Sequence, residues 1–391
     1  MLLKRTLFVL IVLALTISGS STASAQSEAP ILGADSATAV PGRYIVVFKP
    51  GTPAADVSAA AEHARGGGGQ VDFVYESALV GFAGQLPEQA LFGLSHNPNI
   101  EFIEADQVIT IDTTQSPATW GLDRIDQRNL PLNNSYTYNV TGAGVKAYII
   151  DTGIRITHNQ FGGRATYGRD FVDNDSTASD CNGHGTHVAG TVGGSTYGVA
   201  KGVSLVAVRV LNCSGSGTTS GVIAGIDWVT SQHTTGKAVA NMSLGGSPST
   251  ALDNAVRNSI ADGVVYAIAA GNSNSNACNF SPARTAEAIT VGATTSSDAR
   301  ASYSNKGSCL DLFAPGSSIT SSWNSSNTAT NTISGTSMAT PHVTGVAALY
   351  LQGHNATPLQ VRNALVGAAT PNKVTNPGSN SPNLLLYSLV P

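Results

Sequence analysis

The sequence has few charged residues and no block of basic ones. Asp, Glu, Lys and Arg together make up 11% of the 391 residues, against roughly 25% in an average globular protein. The formal net charge is −4, so the chain lacks the positive surface that nucleic-acid binding requires. We therefore expect no nucleic-acid partner.

Long apolar runs are also missing. The run from Leu7 to Ile17 has eleven residues, whereas a membrane-spanning helix needs about 20. Lys4 and Arg5 precede this run, and the small residues Ala23-Ser24-Ala25 follow it. This pattern predicts a secretion signal over residues 1–25. We expect a secreted, extracellular protein with no membrane span after the signal is removed.

Cysteine is scarce, with four in the whole chain: Cys181, Cys213, Cys278 and Cys309. Outside the cell disulfides are favoured over free thiols. Four cysteines allow three pairings, of which the sequential one closes two loops of similar span. Each loop would stabilise the fold by roughly 3–4 kcal/mol in the chain-entropy model.

Residues 26–112 form a first pattern. After a small, polar lead-in, residues 41–112 read in the order strand, helix, two strands, helix, strand, which is typical of a small α+β ferredoxin-like unit. We place the predicted elements at residues 41–51, 54–64, 71–86, 87–97 and 100–111.

A different pattern occupies residues 113–391. Apolar runs such as "VKAYIID", "LVAVRVL" and "VVYAIAA" alternate with helical stretches. Continuous apolar runs are typical of strands buried on both faces, so we expect an α/β fold with helices covering a mostly parallel sheet. Functional groups then gather at the carboxyl ends of the strands.

Three motifs carry chemistry. "YIIDTGI" puts Asp151 at a strand end, "NGHGTHVAG" puts His184 at the start of a helix, and "SGTSMATPHVTG" puts Ser337 at the start of another. Taken alone, each residue fits a cap or a turn. Their order, Asp then His then Ser, differs from the Ser–Asp–His order and G-x-S-x-G elbow of α/β-hydrolases, which disfavours a lipase or an esterase.

These motifs, their order and both cysteine spacings resemble those of the subtilases, within them the proteinase K branch. The likeness covers 113–391, and the upstream unit resembles the inhibitor-type propeptides of these enzymes. The resemblance implies a three-layer subtilisin-like fold and a monomeric serine endopeptidase made as an autoprocessed zymogen. Its partners would be protein and peptide substrates, and its own propeptide as inhibitor.

The resemblance also implies roles that have physical reasons. Ser337 needs a base to become a nucleophile, His184 supplies it, and Asp151 orients the imidazole. The Ser337 N–H and the side-chain amide of Asn272 would hold the developing oxyanion. A catalytically inactive binding module is the alternative, but all four positions carry competent residues.

Two flanking strands would bind an extended peptide, and an uncharged pocket would favour apolar or aromatic side chains before the cut. The expected cleft residues are Ser214, Gly215, Ser216, Gly217, Ser243, Leu244 and Gly245, with Ala269, Ala270 and Gly271 in the primary pocket.

Calcium is the structural ion that the resemblance implies, and no catalytic cofactor is expected. Oxygen ligands suit this ion. One site would use Asp311 with the carbonyls of Ala286 and Ala288. The second would use Asp123, Asp126, the Gln127 carbonyl, Asn133 and Ser135.

Three further features of the sequence lead to predictions. His187 follows His184 at i+3 without the Glu of a metalloprotease motif, so helix packing is favoured over a zinc site. Thr344 stands where these enzymes usually have Ala, and its hydroxyl can bond to the carbonyl four residues earlier. Residues 108–112 would reach towards Ser337 before the propeptide is cut near Asp112.

Overall fold

The computed structural model describes residues 28–36, 39–107 and 113–390. The chain divides into two compact units, Met1–Ile109 and Thr110–Pro391, and each is described by itself. The expected signal and the segment at 108–112 lie outside the described residues.

The first unit is a five-stranded sheet with two helices. Its strands lie in the order β1-β5-β2-β4-β3, antiparallel except for the β1–β5 pair. Val46, Phe82 and Ile103 form its core with apolar side chains of both helices. From β2 onwards the elements follow the predicted ferredoxin-like order of strand, helix, two strands, helix and strand. The short strand β1 was not predicted. The elements are β1 (Ile31–Leu32), β2 (Ala39–Phe48), α1 (Ala54–Gly66), β3 (Gln70–Tyr75), β4 (Gly81–Gln85), α2 (Glu88–Ser95) and β5 (Ile100–Gln107).

The second unit is built on a nine-stranded sheet in the order β17-β18-β14-β13-β12-β11-β8-β10-β9. All neighbours in it run parallel except β17 and β18. Two antiparallel pairs, β6–β7 and β15–β16, stand outside it. The strands are β6 (Thr113–Gln115), β7 (Tyr136–Tyr138), β8 (Val145–Asp151), β9 (Ala165–Asp170), β10 (Ser204–Arg209), β11 (Lys237–Met242), β12 (Val265–Ala269), β13 (Ile289–Thr294), β14 (Leu312–Pro315), β15 (Ile319–Ser322), β16 (Thr330–Ile333), β17 (Thr370–Pro371) and β18 (Leu384–Leu385).

Helices cover both faces of this sheet, as the side chains of β8 illustrate. Successive side chains of a strand point to opposite faces. Ala147 and Ile149 join a core with side chains of α4 and α7, whereas Tyr148 and Ile150 join a core with side chains of α5 and α6. The three-layer α/β fold with a mostly parallel sheet is therefore confirmed. The helices are α3 (Trp120–Ile125), α4 (His184–Gly193), α5 (Thr219–Gln232), α6 (Thr250–Asp262), α7 (Thr336–Gly353) and α8 (Pro358–Ala368).

Two disulfides close loops of the second unit. Cys181 is bonded to Cys213 and Cys278 to Cys309, with sequence separations of 32 and 31. This is the sequential pairing. Among the described residues no cysteine is free, and no helix there is both long and apolar enough to cross a membrane.

Candidate active site

Asp151 is the last residue of β8 and is fully buried. Its carboxylate accepts the N–H of Thr152 at 2.7 Å. The same carboxylate meets Nδ1 of His184, which lies 2.7 Å from Oδ1 and 3.0 Å from Oδ2. A buried carboxylate needs such partners, because an unpaired charge is costly away from water. The strand end and the first residue of α4 are thereby held together.

His184 begins α4, and its side chain is 24% exposed. Gly183, just before it, has φ of 111°, a conformation that glycine adopts without strain. A Cβ atom at this position would also collide with the Trp323 ring. Glycine is therefore required for the turn that presents His184 to the cleft.

A second carboxylate, which the sequence reasoning did not single out, organises the same turn. Asp180 is buried. Its oxygens accept from the Thr152 hydroxyl, the N–H groups of Asn182 and Gly183, and both the N–H and the hydroxyl of Thr186, at 2.6–2.9 Å. An acidic residue just ahead of a helix start is a capping signal, and that signal could have identified it.

Burial lowers the pKa of the His184 imidazole, but the charge and hydrogen bond of Asp151 act against it. With a smaller contribution from the charge of Asp180, they raise the pKa of His184 above its usual 6.5. Asp151 therefore favours the imidazolium, which is what a base that receives a proton needs.

Ser337 lies in the first turn of α7. Its hydroxyl donates to the carbonyl of Ser243 at 3.2 Å. The Ser337 hydroxyl is therefore directed at the Ser243 carbonyl. Within the described residues 113–390, no hydrogen bond joins it to His184. Hydrogen bonds of a catalytic group often form only once substrate is bound.

Asn272 presents an amide group beside Ser337. Its Oδ1 accepts the N–H of Thr336 at 2.8 Å and the Thr336 hydroxyl at 3.0 Å, which leaves the amide N–H groups to donate. A Cβ atom on Gly335 would lie 3.5 Å from Asn272 Nδ2 and 3.6 Å from the Ser337 nitrogen. The two donors thus flank the same small volume, which the lack of a side chain at Gly335 keeps open.

Two adjoining cavities form a cleft at these residues. One of about 540 Å³ is lined by His184 and by the segments 214–217 and 243–245. The other, of about 350 Å³, is lined by Ser337, by 269–272, and by Phe280 and Ala283. All the predicted cleft residues line one or both cavities. Phe280 and Ala283 were not predicted, because they come from a loop distant in sequence.

His187 and His342 are directed elsewhere. The His187 ring is buried, with Nε2 3.0 Å from the Ile319 carbonyl, and burial lowers its pKa to about 4. His342 Nδ1 lies 2.9 Å from the Met338 carbonyl, and burial lowers its pKa also to about 4. Both rings are packed into the core, and within the described residues no cluster of three or more His, Cys, Asp and Glu side chains could hold a metal.

The loop expected to bind calcium through Asp123 and Asp126 contains a buried carboxylate oxygen without a hydrogen-bond partner. Asp123 accepts the N–H groups of Asn133 and Asn134, and Asp126 Oδ2 accepts that of Thr137 at 2.6 Å. Asp126 Oδ1 is buried without a partner, and burial raises the pKa of this carboxyl to about 6. A cation would compensate this buried oxygen, so these residues fit the ion.

The remaining expected ligands of that loop already have partners. The Gln127 carbonyl accepts Nη1 of Arg124 at 2.7 Å. Oδ1 of Asn133 accepts the N–H of Ser135 at 2.9 Å and its hydroxyl at 2.6 Å. The Gln127 carbonyl, which has one partner, retains a lone pair for a cation. Asn133 Oδ1 accepts two hydrogen bonds, so it could ligate a cation only if Ser135 gives up one of them.

Asp311 is in a different position. Its Oδ1 accepts Nε of Arg362 at 2.9 Å and Nη2 at 2.5 Å, and its Oδ2 accepts the N–H of Thr290. Arg362 already supplies the positive charge here. These residues, together with the carbonyls of Ala286 and Ala288, fit a calcium ion only if Arg362 turns away.

Comparisons with known proteins agree with this geometry. The model of the subtilase family, Peptidase S8, matches residues 142–383, and that of the peptidase inhibitor I9 family matches residues 43–112. An extracellular serine proteinase of Thermus sp. (strain Rt41A) is 57% identical over 394 residues, 95% of each chain. An alkaline serine exoprotease A of Vibrio alginolyticus is also 57% identical, over 82% of this chain and 60% of its own.

A solved structure is similar as well. The crystal structure of a cold-adapted subtilisin-like serine proteinase is 63% identical, with a TM-score of 0.69, and the match covers 71% of this chain and 100% of that one. The chain therefore belongs to the subtilase family of serine endopeptidases, and its N-terminal unit belongs to the I9 family of peptidase inhibitors.

Proposed function

We propose that the protein is an extracellular serine endopeptidase in which Ser337, His184 and Asp151 form the catalytic triad. The observation that carries this proposal is the hydrogen bond between the buried Asp151 carboxylate and His184, beside a cleft that also contains Ser337 and Asn272. The extracellular location is supported by the name of the Thermus relative. That the enzyme acts as a monomer stays a prediction.

In the first step the Ser337 hydroxyl leaves the Ser243 carbonyl and turns to Nε2 of His184. His184 takes the proton while Oγ of Ser337 attacks the peptide carbonyl carbon. The carbonyl π electrons move to its oxygen, and the Ser337 N–H and Asn272 Nδ2 donate to the resulting oxyanion. Loss of one such donor costs about 3–4 kcal/mol of transition-state stabilisation.

The intermediate then collapses. The C–N bond breaks, His184 gives its proton to the leaving amine, and an acyl-enzyme on Ser337 remains. Water, deprotonated by His184, attacks the acyl carbon in the same way and releases the acid. Asp151 stays ionised throughout and stabilises the imidazolium.

The I9 unit makes the chain an autoprocessed zymogen. We infer that this unit, residues 26–112, inhibits the peptidase unit, residues 113–391, until the enzyme cuts the connecting segment. The support is the match of the I9 family to residues 43–112, directly ahead of the peptidase unit.

Replacing Ser337 by Ala removes the nucleophile. We expect Ser337→Ala to lower kcat on casein and peptide amides by roughly 10⁶-fold, to abolish labelling by a fluorophosphonate, and to leave the precursor uncut. N-terminal sequencing and labelling measure this. Ser231→Ala, an exposed change on α5, is the matched control, and cleavage or processing that survives Ser337→Ala would contradict the proposal.

The pH profile should report His184. Only neutral imidazole accepts the Ser337 proton, so activity is lost as pH falls through the pKa of His184, which lies above 6.5. We expect the acid limb of kcat/KM to have its midpoint above that value. Asp151→Asn removes the main raising effect, so the limb moves to lower pH, while kcat falls by about 10⁴-fold. A wild-type midpoint below 6.5 would contradict the raised pKa of His184, and an acid limb that Asp151→Asn does not move would exclude His184 as the titrating base.

The second cavity should select the side chain before the cut. No charged residue lines it, and burying a charge without a partner is unfavourable. In a series of peptide amides that differs only at this residue, we expect kcat/KM for Phe or Leu to exceed that for Asp or Lys by at least about tenfold. The same exchange made far from the cut serves as control, and equal rates for Asp and Phe would refute the preference.

Calcium should stabilise the fold through the Asp126 loop. At about 100 times its Kd a ligand adds about 2.7 kcal/mol, or about 5–10 °C in Tm for a domain of this size. We expect EDTA to lower Tm by that amount and Asp126→Asn to abolish most of the difference between calcium and EDTA. Asp227→Asn, an exposed change on α5, should retain it. Equal Tm values with and without calcium would disprove the site.

A further inference from the structure

The carbonyl of Ser337 has lost its usual helical partner. Pro341 lies inside α7, four residues further on, and proline has no N–H to donate to the carbonyl at i−4. The Ser243 hydroxyl donates to this carbonyl instead, at 2.8 Å. In return the Ser337 hydroxyl donates to the Ser243 carbonyl at 3.2 Å. These two hydrogen bonds connect the start of α7 to the end of β11.

The hydrogen bond from the Ser243 hydroxyl to the Ser337 carbonyl determines the direction of the next two hydrogen bonds, which involve Asn241 and Thr344. A carbonyl only accepts, so the Ser243 hydroxyl donates its single proton to the Ser337 carbonyl. The Ser243 oxygen must then accept from its other neighbour, Asn241 Nδ2, at 2.8 Å. This orients the Asn241 amide with Oδ1 towards Thr344. The Thr344 hydroxyl then donates to Oδ1 at 2.9 Å.

Thr344 has a second acceptor, but a more distant one. Its hydroxyl lies 3.3 Å from the Thr340 carbonyl, so the bond to Asn241 is the shorter of the two. Thr344, Asn241 and Ser243 are all buried. Water therefore cannot replace a lost partner of Thr344 or Asn241 without entering the core, whereas Ser243 borders the cleft.

The spacing of these residues places them together. Ser337 and Thr344 are seven residues apart, two turns of α7, and so lie on one face of that helix. Asn241 and Ser243 are two apart along β11 and its end, and so point to one side of the sheet. The pattern in the sequence is therefore Ser-x₆-Thr on a helix and Asn-x-Ser at the end of a strand. In the fold these two segments face each other.

We propose that Thr344 is a positioning residue for Ser337, acting through Asn241 and Ser243. This inference rests on the proposed role of Ser337 as nucleophile. Thr344 touches neither substrate nor the reacting atoms. It fixes the Asn241 amide, which fixes the Ser243 hydroxyl, which holds the backbone of Ser337 where its N–H and Oγ must be placed to within fractions of an ångström.

The test compares Thr344→Val, which keeps the shape and removes the hydroxyl, with Thr344→Ser, which keeps the hydroxyl. The matched control is Thr191→Val on α4, a buried threonine whose hydroxyl bonds to the carbonyl four residues earlier at 3.2 Å. For each variant, kcat, KM, the pH profile and the second-order rate of fluorophosphonate labelling are measured well below its Tm.

For Thr344→Val we expect kcat and the labelling rate to fall roughly fivefold, the effect of one neutral hydrogen bond felt in the transition state. KM should stay within about twofold, and the acid limb should not move, because His184 is untouched. Thr344→Ser should restore both rates, and Thr191→Val should leave them unchanged.

Labelling of Thr344→Val at the wild-type rate, or an equal loss in Thr191→Val, would overturn the inference. A wild-type protein that neither cleaves nor labels would instead refute the proposed function, so the two failures are distinguishable. If Thr344→Val does not fold, the pair Thr344→Ala and Thr191→Ala takes its place with the same criteria.

Discussion

The buried carboxylate of Asp151 is the constraint on which the site depends. It lies at the end of a strand whose two faces are both covered by helices, so water cannot solvate its charge. The Thr152 N–H and the His184 imidazole compensate that charge. Because His184 is the first residue of α4, this contact orients the imidazole and ties the end of β8 to the start of that helix, which Gly183 and Asp180 shape.

The groups around this pair are held mainly by hydrogen bonds rather than by ion pairs. Asp180 accepts five hydrogen bonds, from Thr152, from the turn before α4 and from Thr186 in the first turn of α4, and Thr336 holds the Asn272 amide. Such networks rigidify a site when every member is satisfied. A chain with so few charged residues can thus position an active site without many ion pairs, although Arg124–Asp298 and Arg209–Asp170 are buried exceptions.

Much of the fold was predictable because its signals are local. The order of elements in the N-terminal unit follows from alternating apolar runs and glycine-rich breaks, and the continuous apolar strands indicated a sheet covered on both faces. The short strands β1, β6, β7, β17 and β18 were missed, since a strand of two or three residues has no periodicity. Motif context likewise pointed to Asp151, His184 and Ser337, which come from three separate parts of the chain.

Long-range partners were not predictable in the same way. The sequence by itself determined the strands and helices with long apolar or periodic runs, the candidate catalytic residues and the position of Pro341, which removes one helical donor. Only the tertiary structure decided that Ser243 replaces that donor, that Thr344 meets Asn241, and that Arg362 meets Asp311. The physical reason is that propensity and periodicity act over a few residues, whereas these contacts join residues between 51 and 103 positions apart.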